Sequence, residues 1–488
     1  LRWLNFFDGT EFSAMAAIVL RPDVPTLATD DGRPAARLTV LDKAALAPWL
    51  LTQAPRVQAL AKSFGFEREG AGPLIVPMEN GAGIEAVATL VADAADPFAL
   101  AALAASLPEG AYRIEAAAAP APGEKAETWA LGWALAAYRF ERYRSKPAPK
   151  AAATLLLADA AAVKRVQTQA RAAALVRDLV NTPANDLGPG ELADSALALM
   201  EELNGTAKII RGEELLRENF PAIYEVGKAS VRPPCLIDLK FGDETHPKLT
   251  LVGKGVVFDT GGLDIKPSSA MRLMKKDMGG AAHALALAYL VLSRGLKVRL
   301  RVLIPAVENA VSGNAFRPGD VIASRKGSSI EVGNTDAEGR LILADALEEA
   351  GRDSPSLLID FATLTGAARV ALGPDLPALF ATKDDTANGL LASAAATADP
   401  LWRLPLWQAY RPEMKSGIAD ISSTGMEGFA GAITAALFLQ HFVPDGQDWL
   451  HLDLYAWNRR TRPGRPEGGE AMALRALVHY LEKRFAAS

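Results

Sequence analysis

Cysteine occurs once in the 488 residues, at Cys235, and histidine only five times. A lone thiol forms no intrachain disulfide framework and no thiolate metal site, which favours a reducing, cytoplasmic setting. Cys235 lies in the apolar run Pro-Cys-Leu-Ile-Asp-Leu-Lys-Phe, where a buried structural thiol is expected rather than a nucleophile. The histidines, His246, His283, His441, His451 and His479, form no His-Glu-x-x-His motif, and no Gly-x-Ser-x-Gly elbow occurs. Histidine-ligated zinc hydrolases and Ser-His-Asp hydrolases are thereby set aside, and His283 and His451, flanked by apolar residues, read as core histidines. No apolar run reaches the length of a membrane span, so no membrane partner is expected. Leu1 to Met15 lack a basic segment followed by an apolar core, and no signal peptide is expected there. A net charge of -5 gives no indication of a dedicated nucleic-acid protein.

With 50% hydrophobic and 22% charged residues, the chain is too long for one core and suits two α/β domains. Residues 1–150 are expected to form a smaller N-terminal α/β domain, 151–185 a linker strand and connecting helix, and 186–488 a larger C-terminal α/β domain. In the first part, a strand is expected at 74–77 and an amphipathic helix over 126–144, broken by Ser145-Lys146-Pro147-Ala148-Pro149-Lys150. A strand at 154–157 and a helix over 160–179, ended by Asn181-Thr182-Pro183, lead into a regular α/β rhythm. Strands are expected there at 208–211, 235–241, 249–252, 298–307, 357–361 and 449–454, with helices over 279–292, 340–350 and 431–442.

The most informative stretch is Asn334-Thr335-Asp336-Ala337-Glu338-Gly339-Arg340-Leu341. Read as extended chain, it points the Asp336 and Glu338 carboxylates the same way, with Arg340 continuing the row. Converging carboxylates repel unless a cation lies between them, and a divalent metal is the commonest such cation in a catalytic cleft. Lys254, Asp259 and Asp277 supply further candidate ligands, with Lys266 between the two aspartates. Lys254 and Asp259 fall just beyond an expected strand and Asp277 just before an expected helix, where α/β sheets gather ligands. The set has the makings of a two-metal hydrolytic site. Each member also has a plainer reading: Lys254 as a solvated lysine, Asp277 as a helix N-cap, Arg340 as a salt-bridge partner. Gly253-Lys254-Gly255 and Asp259-Thr260-Gly261-Gly262 fit neither Gly-x-Gly-x-x-Gly nor the P-loop spacing, so nucleotide binding is a weak reading.

Taken together, residues 252–262, Ile265-Lys266-Pro267, Met274-Lys275-Lys276-Asp277-Met278-Gly279-Gly280 and 334–341 resemble the cytosol leucyl aminopeptidases, peptidase family M17. The resemblance runs from Asp178 to the C-terminus and is specific, because Asn-Thr-Asp-Ala-Glu-Gly-Arg-Leu is that family's signature. It implies a catalytic domain with a central mixed sheet flanked by helices. It further implies that Lys254, Asp259, Asp277, Asp336 and Glu338 ligate two divalent ions, Zn2+, Mn2+ or Mg2+. Lys266 and Arg340 become the catalytic pair in an aminopeptidase that uses a metal-bridging water, with Lys266 on the oxyanion and a bicarbonate general base held by Arg340. Met274, Asn334, Thr363, Leu364, Gly366 and Tyr455 become substrate-binding residues, the substrate a peptide with a free N-terminus, and the assembly a homohexamer. One departure stands out: His451-Leu452-Asp453-Leu454-Tyr455-Ala456 replaces the family's common His-Leu-Asp-Ile-Ala-Gly, placing an aromatic ring where alanine is usual. Two other classes stay open, a dinuclear hydrolase of phosphate esters and a DNA-binding or regulatory protein.

Overall fold

A computed structural model describes residues 17–68, 70–115, 122–146, 153–425 and 428–486, with the side chains of 122–125 left aside. The expectation for Leu1 to Met15 and the boundary expected at 150–151 lie outside the described residues.

The first sheet has six strands in the order Leu27–Thr29, Ala153–Leu157, Gly110–Glu115, Ala36–Leu41, Ile84–Leu90 and Leu74–Pro77. All neighbours are parallel except the last pair. Strand Ala153–Leu157 therefore pairs inside this sheet. The helix expected over 126–144 is found as Pro122–Ala136. It stops early because the Arg139 guanidinium donates back to the carbonyls of Ala136 and Tyr138, while the Tyr138 hydroxyl donates to Asp178. The aromatic residues that continue the helical pattern pack from a turn instead.

Helix Ala160–Asn181 starts on Asp159, whose side chain accepts from Ala161 N, and packs against both Pro122–Ala136 and Gly279–Ser293. It thereby ties the first sheet to the second. The second sheet runs Trp402–Arg403, Ala378–Ala381, Trp449–Asp453, Leu357–Ala362, Lys248–Gly253, Arg299–Asn309, Cys235–Phe241, Thr206–Arg211, with Gly255–Asp259 continuing along Arg299–Asn309. Its four central strands, Trp449–Asp453 to Arg299–Asn309, are parallel, and the Cys235 and Ala378 strands are antiparallel, so the sheet is mixed. Strands buried on both faces read as near-continuous apolar runs, and these do. Gly279–Ser293, apolar on every side and buried nearly throughout, covers one face together with Leu474–Phe485. Glu338–Arg352 and Gly431–Gln440 cover the other. Cys235 is fully buried, its thiol pushed up to about 12 by burial, as a structural cysteine should be. No helix among the described residues is long and apolar enough to cross a membrane.

Candidate metal centre

The site forms where four parallel strands end on the same edge. Lys254 sits between strands Lys248–Gly253 and Gly255–Asp259, its amide donating to Phe361 O at 2.9 Å. Asp259 ends the second of these strands. Its Oδ1 accepts from Gly261 N and from Asn309 Nδ2, both at 2.8 Å. The turn that follows needs φ of +87° at Gly261 and +65° at Gly262, conformations that suit residues without a Cβ. Asp277 closes the one-turn helix Met274–Lys276, and the following helix starts after Met278, so Asp277 is not that helix's N-cap.

The octapeptide is not extended, contrary to expectation. Asn334 Oδ1 accepts from Asp336 N at 2.7 Å, Thr335–Ala337 form a 3-10 turn, and Glu338 is the first residue of helix Glu338–Arg352. Local capping wins over strand geometry here, and the carboxylates converge through the turn rather than through a pleat. Thr335 locks it, donating to Gly261 O at 2.6 Å while its amide donates to Asp264 Oδ2 at 2.8 Å. Gly339 has a packing reason: a Cβ there would meet the Lys254 side chain at 2.3 Å.

One oxygen each from Asp259, Asp336 and Glu338 lie within 4.8 Å of one another, a spacing that can hold a metal ion. Lys254 Nζ lies 2.8 Å from Asp277 Oδ2 and 2.9 Å from Glu338 Oε1. Lys266 Nζ lies 2.7 Å from Asp259 Oδ2 and also contacts Asp336 Oδ1. The two ammonium groups thus occupy the places where cations are required. Even so, the carboxylates are crowded. Burial, followed by the charge of Asp259, holds Glu338 well above the usual carboxylate range and pushes Asp336 up to about 6. Burial would raise Asp277 too, but the Lys254 ammonium overrides it and keeps Asp277 low. Lys254 itself is raised, because Asp277 and Glu338 outweigh its burial. Asp277 Oδ2, Asp336 Oδ1 and Glu338 Oε1 are buried with a lysine ammonium as their only partner, and the buried Glu338 Oε2 has no donor among the described residues. Oxygen-rich and short of donors, this donor set fits divalent ions.

Arg340, two residues along the same helix, donates from Nη1 to Ser423 O at 2.6 Å, and burial pulls it down to about 10. Thr363 Oγ1 donates to Asp277 Oδ1 at 2.8 Å, and Leu364 N to Asp453 Oδ1 at 3.0 Å. Met274 is buried beside Asp277, Asn334 and Gly366 are exposed, and Tyr455 lies half-buried beneath two cations, Lys276 and Arg369. Sequence reasoning missed Asn309, Asp264 and Asp453. Asn309, at the end of a long apolar strand, carried a usable signal in being polar at a strand's carboxyl end. Asp264 and Asp453 act on backbone amides far along the chain, which no local pattern announces.

A doubly covered α/β sheet with a buried, donor-poor carboxylate cluster at its strand ends defines a metallohydrolase. Residues 174–478 match the catalytic domain of the cytosol aminopeptidase family, and residues 36–157 match the M17 aminopeptidase N-terminal domain. The chain is 44% identical over 368 residues to a probable cytosol aminopeptidase of Syntrophotalea carbinolica, covering 72% of this chain and 74% of that one. It is 42% identical over 333 residues to a peptidase B of Enterobacter sp., covering 66% of this chain and 78% of the relative. The crystal structure of a cytosol aminopeptidase from Coxiella burnetii superposes with a TM-score of 0.90 at 48% identity, over 94% of this chain and 99% of that one. The bottromycin maturation enzyme BotP in complex with Mn superposes at 0.83 with 33% identity, over 93% and 100%. The chain belongs to the cytosol aminopeptidase family, peptidase family M17, and is a dinuclear metallo-aminopeptidase.

Proposed function

We propose that this protein releases N-terminal residues from peptides at two divalent ions held by Lys254, Asp259, Asp277, Asp336 and Glu338. The observation that carries this reading is the convergence of Asp259, Asp336 and Glu338, with the buried Asp336 Oδ1 and Glu338 Oε1 met only by lysine ammonium groups and Glu338 Oε2 by no donor among the described residues. Zn2+ and Mn2+ are the leading candidates and Mg2+ the third; the Mn in the related BotP complex supports the second. When bound, the ions supply Lewis acidity and a water that is deprotonated near neutral pH.

The chain's own groups do the rest. Lys266, at the rim of the cluster with its side chain 12% exposed, offers its ammonium to the oxyanion that develops on the scissile carbonyl. Arg340 uses one N–H on Ser423 O and has no other acceptor among the described residues, leaving donors to hold a bicarbonate that serves as general base. Asp277, oriented by Thr363, meets the substrate's free amine, which makes the enzyme an exopeptidase. Met274, Asn334, Thr363, Leu364, Gly366 and Tyr455 line the approach for the first side chain. A homohexamer in the cytoplasm belongs to the same proposal, and a sedimentation measurement of mass in solution tests the assembly.

The deciding assay sets an amino-acid p-nitroanilide against p-nitrophenyl phosphate. Hydrolysis of the anilide alone, abolished by chelation and restored by Mn2+ or Zn2+, is expected. Full activity in demonstrably metal-free protein would overturn the reading. Bicarbonate should stimulate the wild type more than Arg340→Ala, and equal stimulation would remove Arg340 from its role.

A further inference from the structure

Strand Trp457–Asn458 pairs antiparallel with Gly468–Gly469, so residues 459–467 leave and return at one point. This excursion carries four arginines, Arg459, Arg460, Arg462 and Arg465, and one acid, Glu467. It is tied down at several points. Asn458, 2% exposed, donates to Arg465 O at 2.7 Å and to Pro466 O at 2.9 Å. Arg177 Nη2 donates to Gly464 O at 2.9 Å and Gly469 N to Asn181 Oδ1 at 2.8 Å, which fixes the base on helix Ala160–Asn181. Arg465 lies over the Phe98 ring, 3.9 Å from its centroid, and Arg462 forks onto both Asp375 oxygens at 2.9 and 3.0 Å. Two of the four arginines thus have structural partners, one stacked and one paired.

Arg459 and Arg460 have none. Both are exposed, and neither side chain has an ion pair, hydrogen bond or ring contact among the described residues. They line one cavity of about 480 Å³ together with Pro374, Asp375, Asn458 and Arg462. Asp375 is already engaged by Arg462, so the cavity keeps two unmatched positive charges on a tied loop. A guanidinium group matches a planar carboxylate in shape, and a loop fixed beforehand loses less entropy when it binds one. Two short stretches of chain lead from the proposed substrate contacts to this cavity. Arg459 follows Tyr455 by four residues, which limits the separation of their Cα atoms to about 14 Å. Gly366 opens the helix Gly366–Leu372, about 10 Å long, and Pro374 stands just beyond its end. An extended peptide advances about 3.4 Å per residue, so about 10 to 14 Å is the reach of its third or fourth residue.

We infer that Arg459 and Arg460 form a carboxylate subsite downstream of the scissile bond, which favours peptides carrying a negative charge on the third or fourth residue. The C-terminal carboxylate of a tri- or tetrapeptide and an acidic side chain at the same place supply the same chemistry. Peptides are thereby selected by their far end, independently of the first side chain. This inference rests on the aminopeptidase reading and adds to it the class of peptide taken.

The test measures kcat/KM of the Mn2+-loaded enzyme at low ionic strength in two arms. One sets Leu-Gly-Gly and Leu-Gly-Gly-Gly against their C-terminal amides, and the other sets Leu-Gly-Glu-Gly-amide against Leu-Gly-Gln-Gly-amide. The charged member should be favoured about fivefold in at least one arm, and the factor should fall towards one in about 0.5 M salt, because the arginines are exposed. The double variant Arg459→Gln/Arg460→Gln, checked for retained metal, should bring the ratios near one. Preference in the first arm assigns the subsite to the C-terminal carboxylate and preference in the second to an acidic side chain, and either supports it. Wild-type ratios of one, or ratios that survive in the double variant, would overturn it. So would a preference for Leu-Gly over Leu-Gly-amide that is absent from the longer peptides, since it would put the cation beside the second residue. A lower solution mass of the double variant would assign the arginines to contact between copies and overturn the subsite as well. If the loaded protein hydrolyses none of these peptides, the aminopeptidase reading fails. Calorimetric binding of Leu-Gly-Gly over its amide, lost in the double variant, would then still support the subsite and equal binding would overturn it, so the two failures are distinguishable.

Discussion

Helix Glu338–Arg352 carries a charged cluster at each end, and the two differ in one respect. Near its C-terminus, Glu349 joins Asp238, Arg301 and Arg325. Both Asp238 oxygens accept from Arg301 at 2.8 and 2.9 Å, and the Glu349 oxygens accept from Arg301 and Arg325 at 2.6 to 3.0 Å. Burial would raise the Glu349 carboxyl, but the two arginines hold it below its usual range. At the N-terminus, Glu338 is fully buried, its Oε1 meets only the Lys254 ammonium, its Oε2 has no donor among the described residues, and its carboxyl is driven up. Burial of charge is therefore common to a structural network and to the metal centre. What separates them is saturation: forked guanidinium groups fill every carboxylate oxygen in one, while point-like ammonium groups serve one oxygen at a time in the other and leave Glu338 Oε2 without a donor.

The largest expected effect breaks this contrast directly. Glu338→Gln should lower metal content and reduce kcat/KM by about a thousandfold or more, yet leave the metal-free protein as stable as the wild type or more so, because a repelling carboxylate is gone. Asp238→Asn should do the reverse, keeping hydrolysis and costing about 3 kcal/mol in urea unfolding, since it strands part of a buried arginine. Equal destabilisation of the two metal-free variants would mean that both clusters are structural.

Within the centre, the lysines divide next. Lys254 touches Asp277 and Glu338, is 3% exposed, and is proposed as a ligand, for which it must lose its proton to the competing dication. Lys254→Ala should therefore lose metal. Lys266→Ala should keep both ions and lower kcat by about a hundredfold to a thousandfold, as the loss of an oxyanion donor does. Lys266 also contacts Asp259 and Asp336, so metal analysis of this variant is the sharper measurement. Matching metal loss in both would abolish the division.

Much of the fold was legible because its central strands are short apolar runs between turn signals. Strand Cys235–Phe241 and the start of helix Gly279–Ser293 are found as read. The conformation around Asp336 was not legible: i, i+2 spacing suits a strand, and only the Asn334 cap and the Thr335 anchors, made to Gly261 and Asp264, select the turn. The membership of the cluster was visible as residue types near strand ends. The saturation that distinguishes it from the Asp238 network depends on partners 24 or more residues away, such as Asn309 on Asp259 and Arg301 and Arg325 on Glu349. No window of sequence contains them.

Around Tyr455 the imbalance is inverted: two cations, Lys276 and Arg369, flank the ring, and their one carboxylate contact among the described residues is Asp277 Oδ1, 4.0 Å from Lys276. A ring in this place should fill volume that a bulky first side chain needs. Tyr455→Ala is therefore expected to raise kcat/KM for leucyl and phenylalanyl substrates over alanyl ones by about tenfold, the scale of discrimination by an apolar pocket. An unchanged ratio would show that the ring sets no size limit, leaving Met274, Thr363 and Gly366 to do so.

The smallest effect comes from a third buried pair, matched one to one. His451 Nδ1 lies 2.6 Å from Asp360 Oδ1, Asp360 Oδ2 accepts from Trp449 Nε1 at 2.7 Å, and both His451 and Asp360 are inaccessible to solvent. Burial alone would lower the imidazolium, but the adjacent Asp360 carboxylate overrides it and raises the His451 pKa. A histidine raised above its unfolded value of about 6.5 contributes stability that is complete below that pH and is lost as pH climbs through the folded value. One proton limits the slope to about 1.4 kcal/mol per pH unit. Unfolding free energies of the metal-free protein should thus fall between mildly acid and mildly alkaline pH more steeply in the wild type than in Asp360→Asn, where no carboxylate favours the imidazolium. Parallel pH profiles would show that His451 is neutral throughout. The pair would then stand with the saturated Arg301 network, a hydrogen bond between fixed partners, rather than with groups whose charge is still unmatched.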